Sequence, residues 1–241
     1  MAPRIAAGGR RVLVPDVRGR GRSDSDPNPR NYRPKVYARD MLQLMESLGI
    51  SRAVFLGTSM GGLITMALAA IRSRAVAAAA LNDVGPEIGR EGIDRILSYA
   101  GQPTTIETWD DAVDYVRRTN AVAFPEYSDS DWADFARRTF RDEGGQPVLD
   151  YDPAIAALHA NGPAKTRGLV ADHLFRRLAK RRPTLLVRGE LSDLTTDAIA
   201  RRMKRSAPSL QLAVIPGVGH APALTEPEAI KAIDEFLAGV P

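Results

Sequence analysis

Gly57-Thr58-Ser59-Met60-Gly61 is the segment whose residue types point most directly to covalent chemistry. A G-x-S-x-G match arises by chance in about one chain of this length in ten, so the pentapeptide alone says little. Its surroundings make it specific. The apolar run Ala53–Leu56 enters it, and the alanine-rich stretch Gly61–Ile71 leaves it. A strand that turns sharply into a helix lifts a serine hydroxyl above the sheet edge, and small flanking glycines let the two backbones approach. The serine then sits at a helix N-terminus, where the backbone N–H of Met60 faces a developing oxyanion. The plainer alternative is a serine that only caps a helix.

A serine hydroxyl is a poor nucleophile without a base. The chain has three histidines. His159 and His173 fall in a helical stretch, where a surface or packing role is expected. His220 instead follows the apolar run Leu210–Ile215, in the loop Pro216-Gly-Val-Gly-His-Ala-Pro222. Open α/β sheets collect their sites at the carboxyl ends of strands, so this histidine is well placed as general base. A carboxylate must hold its other ring nitrogen. Asp193 lies just past the run Thr184–Arg188, and Asp83 just past Val76–Leu81. Both follow strand ends and both fall between serine and histidine in chain order, so geometry leaves the choice open.

The elements that must position these residues alternate. Arg11–Pro15 reads as a strand, Tyr37–Leu48 as an amphipathic helix with Met41, Leu44, Met45 and Leu48 on one face, and Val76–Leu81 as a strand ending in the turn signature Asn82-Asp83-Val84-Gly85-Pro86. From about Glu87 to Lys180 the pattern turns helical: Ile88–Tyr99, Ile106–Thr119, Asp129–Asp142 and Gly168–Lys180. Alternation resumes with Thr184–Arg188, Asp197–Ser206, Leu210–Ile215 and Glu226–Leu237. The expected fold class is α/β, a mostly parallel sheet flanked by helices. Residues 1–86 and 183–241 are expected to form the core, with 87–182 a helical cap inserted over the site. Aromatic residues in that stretch are expected to pack rather than line a pocket.

Composition narrows the classes of function. Hydrophobic residues make up 44% and charged residues 26%, ordinary for a chain that buries a core. No cysteine is present, which excludes disulfides, a thiol nucleophile and thiolate metal sites. The N-terminus lacks an apolar stretch of signal-peptide length and no run suits a membrane span, so a cytoplasmic location is expected. The net charge of +4 comes from 33 basic residues interspersed with 29 acidic ones, a solvated surface rather than a nucleic-acid footprint. The partner expected is a small-molecule substrate, and a homo-oligomer is compatible with the chain. Gly19 and Gly21 lack the third glycine of a dinucleotide fingerprint, and no histidine pair has zinc-motif spacing, so no cofactor or metal is expected.

Four segments together resemble the α/β-hydrolase superfamily, in its capped branch of esterases, lactonases and C–C bond hydrolases. They are Val14-Pro-Asp-Val-Arg-Gly-Arg-Gly-Arg-Ser23, Gly57–Gly62, Leu185-Leu-Val-Arg-Gly-Glu-Leu-Ser-Asp193 and Gly217–Pro222 with Glu226-Pro-Glu beyond it. The resemblance implies a serine hydrolase in which Ser59 attacks an acyl carbon, His220 takes its proton, Met60 N–H serves the oxyanion and Asp193, rather than Asp83, is the acid. It assigns Asp16, Gly19, Gly21 and Ser23 to a structural turn. A serine at the elbow, not an aspartate, argues against an alkyl-ester intermediate.

The resemblance also implies roughly fifty residues ahead of Arg11–Asp16, carrying three strands, a helix and a His-Gly turn with the second oxyanion N–H. This sequence has no His-Gly pair. The first strands are therefore expected to be missing, as in a shortened reading of a longer protein, with an inactive or ligand-binding fragment as the alternative outcome. Loss of one oxyanion donor costs about 3–4 kcal/mol. In such a chain Arg11–Pro15 must pair directly with Ala53–Leu56, or another chain must fill the gap.

Overall fold

The computed structural model describes residues 1–99, 105–157 and 168–241. A short helix α1 (Ala2–Ala7) leads through an extended stretch and a glycine-rich turn to α2 (Pro34–Ser47). The strand β1 (Ala53–Thr58) then feeds α3 (Met60–Ile71), and β2 (Val76–Asn82) follows. Next come α4 (Arg90–Tyr99), α5 (Trp109–Asn120), α6 (Asp129–Thr139), the pair β3 (Phe140–Glu143) and β4 (Gln146–Leu149), and the helices α7 (Ala154–Ala157) and α8 (Leu169–Ala179). The chain closes with β5 (Thr184–Gly189), α9 (Asp197–Ser206), β6 (Gln211–Ile215) and α10 (Pro227–Ala238).

The main sheet is parallel, in the order β1-β2-β5-β6. Position in that order explains sequence character. The central strands β2 and β5 are buried along their whole length and read as continuous apolar runs, as strands covered on both faces must. Alternate residues of β2 serve two cores. Ala79 and Leu81 join α2, α3, α8 and α9 on one face; Ala78 and Ala80 join Leu185, Ile215 and Phe236 on the other, where α10 lies.

Three sequence expectations need correcting. Arg11–Pro15 is extended but belongs to no strand. Its apolar side chains are not in a core: Leu13 and Val14 are 43% and 76% exposed. A strand is defined by a neighbour, and among the described residues β1 pairs only with β2, so its outer edge lies open. The second correction is β3–β4, an antiparallel hairpin inside a stretch expected to be helical. Gly144 and Gly145, at φ 64° and 94°, form its two-residue turn, and the Gly-Gly pair was the overlooked signal. Third, α8 packs on α3 through Phe175, Leu178 and Ala179, within the core of the sheet rather than apart from it.

Phe124 and Trp132 are buried with Val116, Ala136 and Phe140 in a separate apolar cluster, and the Phe124 ring stacks on Tyr127 at 4.4 Å. These aromatics pack against one another, as expected. No helix among the described residues is long and apolar enough to cross a membrane.

Candidate active site

Ser59 occupies the junction between β1 and α3 with φ 47°, ψ −112°. A non-glycine residue with positive φ stores strain that its surroundings must hold. Here Ser59 N–H donates to the Asn82 carbonyl at 2.9 Å, which ties the turn to the end of β2. Two glycines make the turn possible. A Cβ on Gly57 would lie 2.4 Å from the Gly61 carbonyl carbon, and one on Gly62 would lie 2.3 Å from Val84 Cγ1. Gly61 meets nothing within 4 Å. The steric need therefore falls on Gly57 and on Gly62, one place beyond the pentapeptide. Gly57→Ala should destabilise the fold by about 1–3 kcal/mol through overpacking against backbone. Gly61→Ala should cost well under that, and urea unfolding of the two variants checks the contrast.

The hydroxyl thus raised meets His220. Its Nε2 lies 3.0 Å from Ser59 Oγ, across 161 residues of sequence. The loop that carries the imidazole is held from three sides. Leu191 N–H donates to the Val218 carbonyl at 2.9 Å, and Asn82 Nδ2 donates to the Pro222 carbonyl at 2.8 Å and to Thr58 Oγ1 at 3.0 Å. From the inserted stretch, the Ala123 carbonyl accepts from Gly219 N–H at 2.6 Å. Asn82 is 1% exposed and links the serine strand to the histidine loop. In sequence it looked only like part of a turn, because nothing local reveals a partner 140 residues away.

The two carboxylates separate clearly. Asp83, with φ 55° and no exposure, sits at the end of β2 with Oδ2 3.8 Å from His220 Nδ1, a nitrogen that is itself buried and without a hydrogen bond. Ser192 Oγ–H donates to Asp83 Oδ1 at 2.9 Å, and Gly189 N–H approaches Oδ2 at 3.4 Å. Asp193, the acid implied by the resemblance, accepts from two donors of Arg95 on α4: Nε at 2.7 Å and Nη2 at 2.9 Å. Burial works to raise the Asp193 carboxyl, but the Arg95 hydrogen bonds and charge outweigh it and hold the group below the usual carboxylate range. Serine, histidine and Asp83 converge; Asp193 stands beside them, bound to a different partner. Arg95 and Ser192 carried no sequence signal of their own.

Met60 is the first helical residue of α3, so its N–H is one of the donors that no carbonyl of its own helix accepts. Of the other histidines, His173 is exposed on α8 and His159 lies outside the described residues. The glycine-rich turn is structural: Ser23 Oγ–H donates to the Asp16 carbonyl at 2.7 Å, and a Cβ on Gly19 would meet the Tyr32 ring at 2.6 Å. A cavity of about 680 Å³ opens between that turn and the β3–β4 hairpin, walled by Arg20, Arg141 and Tyr151 among others; neither Ser59 nor His220 lines it. Among the described residues no cluster of His, Asp and Glu is arranged to hold a metal ion.

A serine elbow on a parallel sheet, with a histidine after the last strand beside it, has clear counterparts. Residues 1–233 match the model of the Alpha/beta hydrolase family. The chain is 31% identical over 234 residues to the 3-hydroxybutyrate-oligomer hydrolase of Cupriavidus necator, covering 95% of this chain and 80% of that protein. It is 28% identical over 229 residues to the 2-(acetamidomethylene)succinate hydrolase of Mesorhizobium japonicum, covering 94% and 78%. A crystal structure of an alpha/beta hydrolase from Novosphingobium aromaticivorans superimposes with a TM-score of 0.84 at 40% identity, over 93% of this chain and 78% of that one. On this fold, this elbow and these relatives, the chain belongs to the alpha/beta hydrolase family and is a hydrolase.

Proposed function

We propose that the protein is a serine hydrolase that cleaves a small-molecule ester or lactone, or an activated C–C bond. The observation that carries this reading is the 3.0 Å contact between Ser59 Oγ and His220 Nε2 on a strained elbow. In the proposed reaction Nε2 takes the hydroxyl proton as Oγ bonds to the acyl carbon. The charge that develops on the carbonyl oxygen falls to Met60 N–H. The imidazolium then gives its proton to the leaving group, and water, activated by the same nitrogen, releases the acyl chain.

The carboxylate that orients the imidazole is, on this reading, Asp83. It faces Nδ1, whereas Asp193 is engaged by Arg95. A separation of 3.8 Å is long for a hydrogen bond, but such contacts tighten as the imidazolium forms. Of the stretch 87–182, the part ahead of α8 is read as a cap, supported by the bond from Gly219 to Ala123 beside His220. The name of the Cupriavidus necator relative makes esters of short hydroxy acids a reasonable first substrate class.

A fluorophosphonate probe tests the nucleophile. One adduct is expected, mapping by peptide mass spectrometry to the segment holding Ser59, with none in Ser59→Ala or His220→Ala. Labelling that persists in Ser59→Ala would remove the basis of the proposal.

A further inference from the structure

Two carboxylates stand near one imidazole, and an arginine from a different part of the chain decides which is free. Arg95 projects from α4 and binds both oxygens of Asp193, with the Tyr99 phenol close by. This seat is built into the backbone. Gly89 N–H donates to the Leu194 carbonyl at 2.7 Å; a Cβ on Gly89 would stand 2.0 Å from the Asp193 carbonyl oxygen, and one on Gly92 2.2 Å from Leu194 Cδ1. The stretch that carries Arg95 is thus pressed onto the loop that carries Asp193, at distances only glycine allows. Arg95 and Asp193 side chains are 20% and 24% exposed, so water screens their pairing only in part.

We propose, on the reading that Ser59, His220 and Asp83 form the reacting set, that Arg95 is a positioning residue for it. By engaging both oxygens of Asp193, Arg95 withholds that carboxylate from the Nδ1 side of His220 and leaves the place to Asp83. It also sets the charge around the base. Facing the imidazole is Asp83 from the end of β2; Arg95 from α4 holds Asp193 after β5, the Tyr99 phenol lies near that pair, and Tyr151 after β4 and Tyr115 on α5 adjoin Tyr99. Burial raises the Tyr99 and Tyr115 phenols, so they stay neutral where histidine titrates. With Arg95 in place, the charge of Asp193 is balanced within the pair. Without it, the Asp193 charge is unbalanced, which favours the imidazolium.

The test compares Arg95→Met, Asp83→Asn, their double variant and the triple variant with Asp193→Asn, alongside Arg95→Lys, which keeps the charge but loses the fork. In Arg95→Met the acid limb of kcat/KM should move to higher pH, because removing the guanidinium leaves more negative charge beside the imidazole. Arg95→Lys should move it less. The His220 ring resonance, followed by NMR against pH, reads the same shift without turnover and identifies folded variants.

Asp83→Asn with Arg95→Met should recover about tenfold or more over Asp83→Asn alone, and adding Asp193→Asn should remove the recovery. An unmoved His220 titration in folded Arg95→Met, together with no recovery in the double variant, would overturn the role of Arg95. Failure of the underlying reading shows differently: Asp83→Asn alone would then retain full activity.

Discussion

Ser59→Ala is expected to lower turnover of a short-chain aryl ester by about 10⁴-fold or more while leaving the fold intact. Removal of a nucleophile from a set that acts as a unit leaves only what binding and oxyanion stabilisation supply. The elbow also supports the second half of that expectation. Ser59 is a strained residue at φ 47° whose hydroxyl touches His220, while the turn is fixed by its backbone N–H bond to Asn82. Alanine retains that bond, so thermal unfolding should change by less than about 1 kcal/mol. An activity in Ser59→Ala within tenfold of the parent would mean that Oγ does not attack, and would leave the elbow as a structural turn.

The second large effect separates the two carboxylates. Asp83→Asn is expected to cost about 10³–10⁴ in kcat, because the amide cannot stabilise the imidazolium and favours the wrong ring tautomer. Asp193→Asn is expected to cost less than tenfold in kcat. It should instead weaken the fold, by about 1–3 kcal/mol, because the partly buried Arg95 loses its charged acceptor. The pH dependence follows. The folded state holds the Asp193 carboxyl below its usual range, so its stabilising contribution is complete above the unfolded pKa, near 4. That contribution is lost as pH falls through the lower, folded value, and Asp193→Asn should flatten this part of the acid-unfolding curve. Large losses of kcat in Asp193→Asn with little change in Asp83→Asn would return the acid to the position implied by family resemblance.

The contrast between these residues also marks what was legible in the sequence. The apolar runs of β1, β2, β5 and β6 were evident because their patterns are local, and the serine and histidine were evident because each sits at the end of such a run. Which carboxylate faces the histidine was not. Asp83 and Asp193 occupy equivalent places after neighbouring strands, and what tells them apart is the bond from Arg95 to Asp193, made from an intervening helix with no motif of its own. The strand expected at Arg11–Pro15 shows the opposite limit. Its residues have strand character, but no neighbour in the described structure pairs with it. The hairpin at residues 140–149 was missed because four-residue strands carry too little alternation to be seen beside helical neighbours.

The place of β1 in the sheet has a consequence for how activity is lost. Asp83 ends the interior strand β2, but Ser59 is carried by β1 and His220 follows β6, and each of these two strands is laddered on one flank only. Leu56 on β1 is 37% exposed, whereas every residue of β2 is buried. Local openings are drawn from such thinly bonded segments and require less free energy than global unfolding. Fraying of either edge can therefore part Ser59 from His220 while the central strands stay paired, so their contact can be lost before the molecule unfolds.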